Sequence, residues 1–420
     1  MIKKQLLLVI FSILISCTGG SKTSENSDSF VENDNQLLIH IFMEDILQKE
    51  DTELLSSIAS EIFYIPLETN NNSLLKGLSR NIAYLNEHYV VNDTENLFLF
   101  DKDGKFIKRV TQRGGGPADY TSLNNIIPDQ GTNYFYLFTS RKVIKFDEKA
   151  NYIQNFSIDD SRKVGGLFVG GTYSHGLFTP DKTMILGLHN MSVQHEDTAT
   201  IYNALEIDTL GNIINKFTNR SPRYVNMTAG QITSSITSLY LFNNDIKFLD
   251  FGNDTIFSIV RGSMTPYAIL DLGKNKTNFI LNLSANDDFG KGRELINSSI
   301  GHRITNVFEN KIYLFITLTK KGLAGDDIYC LYNKKTKELK LLKDDVLIND
   351  IDGGASFFPR KSINDNELIG WRSAEGLKKE ILSKDYNEQK AKYGERFEKA
   401  YQLAKSLKDD DNPVLMIARK

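Results

Sequence analysis

The chain has few cysteines, one tryptophan and almost no net charge. Its 420 residues include 2 cysteines, and its formal charge at pH 7 is −3. A mildly acidic chain has no electrostatic attraction for the phosphates of a nucleic acid, so we expect no nucleic-acid partner. Apolar runs are also short, and the run from Leu6 to Ile15 falls well below the ~20 residues that cross a bilayer. These shortages exclude a nucleic-acid binder and predict that no helix of the mature protein spans a membrane.

The N-terminus has the pattern of a secretory signal. Basic Lys3 and Lys4 precede the apolar run, which ends at Ser16 and Cys17. The sequence Leu-Ile-Ser-Cys at residues 14–17 resembles the lipobox of bacterial lipoproteins, in which the signal peptide is removed and the cysteine is acylated. We therefore expect residues 1–16 to be a lipoprotein signal peptide and Cys17 to be the lipidation site.

Residues 17–36 form a polar segment that is predicted to be a lipidated, flexible tether. They are rich in Ser, Gly, Asn and Asp, and so bury too little apolar surface to offset the entropy of ordering. Several acyl chains on Cys17 would give stable anchoring, so the lipid bilayer is a predicted partner. Thr18, rather than an aspartate, follows the cysteine and resembles the outer-membrane signal. We predict a lipid anchor at the cell envelope, in the outer membrane, and leave open which side of it the protein faces.

Only Cys330 remains once Cys17 is lipidated, so a disulfide within one chain is excluded. Its setting, "DDIYCLYN", favours a small buried strand residue over a catalytic thiol. The aromatic residues include 25 Phe and 18 Tyr, which favours a sheet-rich protein. The core must then be stabilised by packing alone.

One unit recurs along the chain. "NLFLFDKDGKFIKRVT" (96–111) alternates apolar residues at period two on both sides of Asp103-Gly104, a turn whose central residues are expected to have positive φ. The same shape returns at 142–158 and 203–219, and weaker copies lie at 246–262 and 327–345. Repeated short antiparallel strands with tight turns indicate a radial repeat rather than a sandwich.

The repeat predicts an all-β fold, a six-bladed β-propeller. A four-stranded blade needs about 40 to 60 residues, so the chain from residue 60 onward accommodates six blades better than seven or two smaller propellers. We assign residues 37–420 to one propeller domain. Residues 376–408 lack proline and place Phe397, Tyr401, Ala404 and Leu407 at helical spacing, which predicts a short C-terminal helical insertion. The closing "NPVLMIARK" is predicted to be a strand that completes the last blade.

Three motifs and the lipobox resemble the six-bladed β-propeller lipoproteins of Bacteroides-type bacteria. They are "SEIFYIPLET" (60–69), "DGKFIKRVTQRGGGPADY" (103–120) and "DDDNPVLMIARK" (409–420). The chain departs from the usual family forms at Ala118-Asp119, where Gly-Glu is common, and at Gln112-Arg113, before the glycine run. The resemblance implies a propeller at the cell envelope, and it implies no reaction because the family has no established one.

Motifs for phosphate or metal chemistry are incomplete. "RGGGPADY" lacks the lysine of a phosphate loop and leads into another sheet, so we interpret it as the joint between two blades. "DKDGKF" lacks the later oxygen ligands of a calcium loop. The six histidines show no zinc-binding spacing, and "YSHG" lacks the nucleophile elbow of a serine hydrolase. We predict no catalytic residues, no metal ligands and no cofactor, and leave open a calcium ion held in the central channel by separate blades.

Three pairs of residues are candidates for ligand binding. Arg113 and Tyr120 flank the glycine run and are candidates for facing the central funnel. The other pairs place a basic residue beside a ring near a strand end, where loops converge on one face of a propeller; they are His302 with Arg303 and Trp371 with Arg372.

Two functional hypotheses follow. We favour a membrane-anchored, non-catalytic binding protein at the cell envelope, whose partner is a glycan, a peptide or a protein. The alternative is a hydrolase or lyase of the six-bladed propeller type, in which a channel calcium polarises a lactone, an ester or a glycan carboxylate.

Overall fold

The computed structural model describes residues 31–33, 36–76, 82–93, 95–111, 113–120, 123–139, 142–158, 163–164, 167–168, 172–190, 202–218, 234–250, 252–260, 262–277, 300–320 and 326–420. The predicted signal peptide, Cys17 and most of the predicted tether lie outside these residues. Within them, no helix has the length and apolar character needed to cross a membrane. The described chain confirms the predicted six-bladed β-propeller.

Four strands precede the first complete blade. They are β1 (Val31–Asn33), β2 (Gln36–Phe42), β3 (Glu50–Asp51) and β4 (Glu61–Pro66).

Blades 1 to 3 are each built from four consecutive antiparallel strands, ordered from the inner strand outward. Blade 1 contains β5 (Ile82–Leu85), β6 (His88–Asn92), β7 (Leu97–Asp101) and β8 (Phe106–Thr111). Blade 2 contains β9 (Leu123–Asp129), β10 (Tyr134–Thr139), β11 (Val143–Asp147) and β12 (Tyr152–Phe156). After a small hairpin, β13 (Lys163–Val164) and β14 (Leu167–Phe168), blade 3 contains β15 (Thr172–Phe178), β16 (Met184–Asn190), β17 (Tyr202–Ile207) and β18 (Ile213–Thr218).

Blades 4 to 6 complete the ring. Blade 4 contains β19 (Ser234–Phe242), β20 (Asp245–Asp250), β21 (Thr255–Val260) and β22 (Ser263–Asp271). Blade 5 contains β23 (His302–Glu309), β24 (Tyr313–Lys320), β25 (Asp327–Asn333) and β26 (Leu339–Leu342). Blade 6 contains β27 (Lys361–Asn364), β28 (Glu367–Arg372) and β29 (Val414–Arg419), and its outer strand is β4 from the start of the chain.

The N-terminal strands lie along the outer edges of three consecutive blades, and we call β2, β3 and β4 the strap. β2 pairs in parallel with β22 of blade 4, and β3 pairs in parallel with β26 of blade 5. β4 then pairs antiparallel with β29, from Val414 opposite Pro66 to Arg419 opposite Glu61. The final strand therefore completes the last blade, as the sequence predicts, and the ring is closed by the two ends of the chain.

The core consists of apolar layers between neighbouring blades. Among the described residues there are six such clusters, one at each junction around the ring. Successive side chains of a strand point to opposite faces of its blade, so each strand contributes to two layers. In β7, Leu97 and Leu99 face blade 2, whereas Phe98 and Phe100 face blade 6. Cys330 lies fully buried between blades 4 and 5, and burial raises its pKa to about 12. It is the buried strand residue that the sequence predicts.

The turns between the third and outer strands of blades 1 to 3 share one design. An aspartate at the end of the third strand, or directly after it in blade 3, accepts a hydrogen bond from the backbone amide four residues later. The pairs are Asp101 and Lys105 (2.8 Å), Asp147 and Asn151 (2.7 Å), and Asp208 and Asn212 (2.9 Å). At the predicted Asp103-Gly104 turn only Gly104 has a positive φ, of 80°. The hairpin is therefore present, but the Asp101 side chain makes it a longer, capped turn than the two-residue type we expected.

The predicted insertion is helical and lies between β28 and β29. It contains α1 (Ala374–Leu382), α2 (Tyr386–Tyr393) and α3 (Glu395–Ser406). Ser373 caps α1 by accepting a hydrogen bond from the amide of Gly376 at 3.1 Å. The apolar stripe that begins at Phe397 packs into the junction between blades 5 and 6, where Phe397 and Ala404 are fully buried.

Candidate functional site

The ring has two different faces because every inner strand runs in the same direction. We call the end where inner strands begin the loop face, since each outer strand there passes to the next blade. We call the end where inner strands finish the turn face, since hairpin turns there lead to the second strands. Neighbouring inner strands contact each other from β5 round to β27 and enclose a central channel.

All six predicted binding residues belong to the loop face. Arg113 and Tyr120 lie between the end of β8 and the start of β9, and His302 and Arg303 begin β23. Trp371 and Arg372 end β28, which runs antiparallel to inner strand β27. The topology thus places the three pairs at one end of the ring but distributes them over different blades.

The glycine loop is held by groups of the protein itself. The amide of Gly116 donates to the carboxylate of Asp119 at 2.9 Å, and the Nζ atom of Lys142 donates to the carbonyl oxygens of Gly116 and Pro117 at 2.9 and 2.8 Å. The Asp119 carboxylate therefore takes the hydrogen bond of the Gly116 amide, which is not available to an external anion. The segment joins the outer strand of blade 1 to the inner strand of blade 2, as predicted.

Arg113 and Tyr120 differ in accessibility. Arg113 is exposed, and its backbone forms an isolated bridge with Tyr120. The Tyr120 side chain is buried between blades 1 and 2, and its hydroxyl donates to the carbonyl oxygen of Glu95. Burial raises the pKa of Tyr120 to about 12. Of this pair, Arg113 is the residue that a ligand can reach.

His302 and Arg303 lie at the start of blade 5. The carbonyl oxygen of His302 accepts a hydrogen bond from the amide of Thr277 at 2.9 Å, and its side chain is part-buried. Burial, with a smaller effect of the nearby Lys320 charge, lowers the pKa of His302. The imidazole is therefore neutral at pH 7. Arg303 is buried, with 9% of its surface exposed.

Trp371 and Arg372 contact the structure around blade 6. The Trp371 ring packs between blades 6 and 1, and the guanidinium of Arg360 lies 4.9 Å from its centroid. Arg372 forms an ion pair with Glu380 of α1, and Glu380 also accepts a hydrogen bond from the amide of Ser356 at 2.6 Å. These contacts fasten the helical insertion to the ring.

A cavity on the inner side of the ring extends from blade 6 past blade 1 to blade 2. Its empty volume is about 320 Å³ including its open mouth, and its walls come from β27 and β28, from β5, and from the end of β9 with the turn that follows. Ile82, Pro128 and Ile363 give it apolar walls, while Gln130 and Lys361 add polar groups. Gln130 is exposed, so solvent reaches the cavity. That volume includes open solvent, so the enclosed part is much smaller than a typical ligand pocket and accommodates at most one small group.

Lys361 is the charged side chain of this cavity. It is part-buried at the start of β27, and burial alone lowers the pKa of its amine to about 8. No hydrogen bond or ion pair joins its Nζ atom to any residue that the structure describes. Sequence reasoning missed Lys361, because a lysine at the start of a short alternating strand does not by itself indicate a channel position.

Two lysines of another part of the ring are paired. At the junction of blades 4 and 5, the Nζ atom of Lys334 lies 2.7 Å from the Glu309 carboxylate, which also accepts hydrogen bonds from the hydroxyls of Tyr240 (3.1 Å) and Tyr267 (3.0 Å). We call these four residues the Glu309 cluster. Beside it, Lys247 donates to the Ser258 hydroxyl at 2.8 Å and lies 3.3 Å from Asp245.

A calcium ion in the central channel is a prediction from the sequence. Among residues 31–420, within the described segments, no group of three or more His, Cys, Asp or Glu side chains is placed to hold a metal ion. The channel calcium therefore stays a prediction.

The fold and the cavity define a class, the six-bladed β-propellers with a small solvent-accessible space on the inner side of the ring. Within it, this chain belongs to the family described as "Domain of unknown function (DUF4934)", whose model matches residues 38–419. No curated protein matches the chain in sequence.

Solved structures are similar in fold. A "Putative exported protein" of Bacteroides fragilis is 18% identical, with a TM-score of 0.62, over 91% of this chain and 99% of that one. At this identity the likeness shows the fold alone. The WD40 repeats of RRP9 (9% identical, TM-score 0.44, over 89% of this chain and 100% of that one) and a luciferin-regenerating enzyme (10% identical, TM-score 0.40, over 85% and 95%) are more distant and carry no argument about function.

Proposed function

We propose that the chain is a non-catalytic binding protein held at the cell envelope by acylated Cys17, and that the propeller channel receives its ligand. The N-terminal sequence pattern supports the anchor, and the resemblance to propeller lipoproteins of Bacteroides-type bacteria supports the outer membrane as its location. The ligand is a glycan, a peptide or a protein segment, of which one small group enters the ring.

One observation carries the binding role: the closed ring contains a solvent-accessible cavity walled by three blades. All the lining residues except Gln130 belong to strands, and packed strands hold their geometry without rearranging when a ligand arrives. A preformed space lowers the entropic cost of binding. The structure thus supports recognition by a rigid site.

A thermal-shift screen of the full chain against glycans and peptides tests the binding role. A ligand that binds the folded state raises the melting temperature in proportion to the logarithm of its concentration above the dissociation constant. We expect at least one glycan or peptide class to raise it. A screen in which no class shifts the melting temperature at millimolar concentration would exclude glycans and peptides and reject the proposal in this form.

The anchor has a separate test. We expect Cys17→Ala to release the chain from the membrane fraction of cells that produce it, because the acyl chains supply the membrane affinity. Cys330→Ala is the matched control, since it removes the other cysteine and should leave the chain with the membranes. Membrane association that survives Cys17→Ala would show that the chain is held by something other than lipid on Cys17.

A further inference from the structure

Lys361, which lines the cavity, has no charged partner among the residues that the structure describes. Lys334, Lys247 and Lys384 are also enclosed by protein, and each has partners: Glu309 for the first, Ser258 and Asp245 for the second, and the carbonyl oxygen of Gly353 (2.9 Å) for the third. Lys361 has no such partner within the described part of the chain. Lys361 is part-buried, so its ammonium loses part of its hydration, and no described residue replaces what is lost.

The charges around the cavity do not compensate Lys361. The carboxylate of Glu367, in the neighbouring strand β28, is already bound by Arg419 at 2.8 Å and by the amide nitrogen of Asn364 at 2.8 Å. Arg360, the preceding residue, is itself a cation and lies over the Trp371 ring. Tyr84 of β5 contributes a neutral phenol, because burial raises its pKa. The Glu367 and Glu87 charges also raise the pKa of Tyr84, so carboxylates lie near this wall. Lys361 is the residue of the lining that carries a charge, and it is this ammonium that favours an incoming anion.

The walls limit what can carry that charge. Ile82, Ala83, Pro128 and Ile363 surround the space with apolar surface, and Gln130 offers an amide at the rim. A phosphate or sulfate would expose further charged oxygens to these apolar walls at a large desolvation cost. A carboxylate attached to a short carbon body can place its oxygens on Lys361 and its carbons against the isoleucines and the proline.

We propose that the channel cavity is a carboxylate-binding site in which Lys361 is the binding cation. The proposal rests on the binding role proposed above and names the chemical class of the group that enters the ring. That group belongs to a small free acid or to an acidic sugar or acidic side chain of a larger ligand. Lys361 acts as a binding residue, and no bond is made or broken.

In the experiment, acetic anhydride labels the full chain at pH 8, and mass spectrometry measures the rate of acetylation at Lys361. A bound carboxylate favours the ammonium form, which does not react, so the rate should fall. Three acids are each paired with a neutral analogue: propanoate with propanamide, glucuronate with glucose, and a blocked Gly-Glu-Gly peptide with its Gln counterpart. The three pairs distinguish a free small acid from an acidic sugar and from an acidic side chain.

We expect at least one acid, and none of the neutral analogues, to slow the labelling of Lys361. By calorimetry, Lys361→Met should weaken the binding of that acid about tenfold or more, and Lys361→Arg should restore most of it, because a charge-assisted hydrogen bond is lost and regained. Lys311→Met, which removes an exposed lysine paired with exposed Asp365, is the matched control and should leave the affinity unchanged.

Other outcomes separate the two proposals. If the neutral analogues slow labelling as much as the acids, the cavity binds ligands but the carboxylate assignment is wrong. If neither acids nor analogues act while the thermal-shift screen finds a ligand, the assignment is wrong and the binding role stands at another site. If the screen also finds none, both proposals fail.

Discussion

Lysine side chains are paired with carboxylates at one place in the ring and lack such a partner, among the described residues, at another. Between blades 4 and 5, Lys334 and Lys247 lie among carboxylates and hydroxyls, with Glu309 at the centre of the cluster. On the inner side of blades 6, 1 and 2, Lys361 lines a cavity and has no partner among the described residues. Charged groups thus join the blades at the first site, whereas at the second the Lys361 ammonium is available to a ligand.

The paired junction shows how a buried charge becomes structural. Glu309 accepts from two tyrosines and one lysine, so its charge is compensated and its oxygens are satisfied. Burial, with smaller effects of Glu309, raises the pKa values of Tyr240 and Tyr267, so both phenols remain donors at neutral pH. These donors come from blade 4 and the acceptor from blade 5. The cluster therefore fixes the two blades relative to each other.

Removing Glu309 should give the largest effect. Glu309→Ala leaves Lys334 charged and two phenols unsatisfied, and we expect the free energy of unfolding to fall by about 3 to 5 kcal/mol. Urea denaturation followed by circular dichroism measures the change. Glu309→Gln keeps an acceptor for the phenols and should lose less. A loss below about 1 kcal/mol for Glu309→Ala would mean that the cluster does not join the blades.

Replacing lysine by methionine should have opposite effects on stability at Lys247 and Lys361. Lys247→Met leaves Asp245 and Ser258 without their partner, so we expect a loss of about 2 to 3 kcal/mol in the same assay. Lys361→Met removes a cation that lacks a partner, so we expect no loss and a gain of up to about 1 kcal/mol. Equal losses at both positions would show that Lys361 is a structural residue, and the distinction between the junctions would disappear.

The Lys361 amine should also make stability depend on pH. Its pKa is about 8 in the folded chain and higher in the unfolded chain, where burial no longer lowers it. Below pH 8 both states are protonated and the penalty for enclosing the charge is fully present. Above it the unfolded state holds more protons, so the free energy of unfolding of the wild type should rise toward pH 10 relative to Lys361→Met. Lys247 and Lys334 are common to both proteins and cancel in this difference. A flat difference between pH 7 and 10 would contradict an enclosed Lys361.

The smallest effect should come from supplying the missing partner. Gln130 lines the same cavity and is exposed, so Gln130→Glu adds a carboxylate at its rim. We expect the pKa of Lys361 to rise and the free energy of unfolding to change by only about 0.5 kcal/mol, as for other solvent-accessible pairs. Acetylation rates of Lys361 as a function of pH measure the shift, and Gln130→Leu is the control. An unchanged titration would mean that the rim does not communicate with Lys361.

Local patterns in the sequence account for much of the fold. The Asp101, Asp147 and Asp208 turns lie where alternating strands meet, so the hairpins of blades 1 to 3 could be predicted from neighbouring residues. The stripe beginning at Phe397 likewise indicates a helix, because its period is local. The strap could not be predicted in full, because residues 39–42 pair with residues 268–271, and no local pattern connects segments so far apart.

The candidate site was less accessible to prediction for the same reason. Sequence reasoning placed Tyr120 in the joint between two blades and Arg372 near a strand end, and both lie there. Their partners Glu95 and Glu380 depend on packing between distant segments. Whether the six predicted residues bind a ligand stays a prediction. Lys361 lines a cavity only because three blades contribute its walls, and two of these blades are far from Lys361 in the chain. A site formed by distant segments leaves no contiguous motif.

The strap also determines at which point of synthesis the ring can close. β2 and β3 are made before the outer strands of blades 4 and 5 that they accompany, and β4 must wait for β29, at the other end of the chain. Pairings so distant in sequence are slow to form. A chain that lacks β29 leaves β4 without its partner and cannot close the ring, although β2 and β3 can still pair with blades 4 and 5. The six-residue strand Val414–Arg419 therefore couples closure of the ring to synthesis of the last blade.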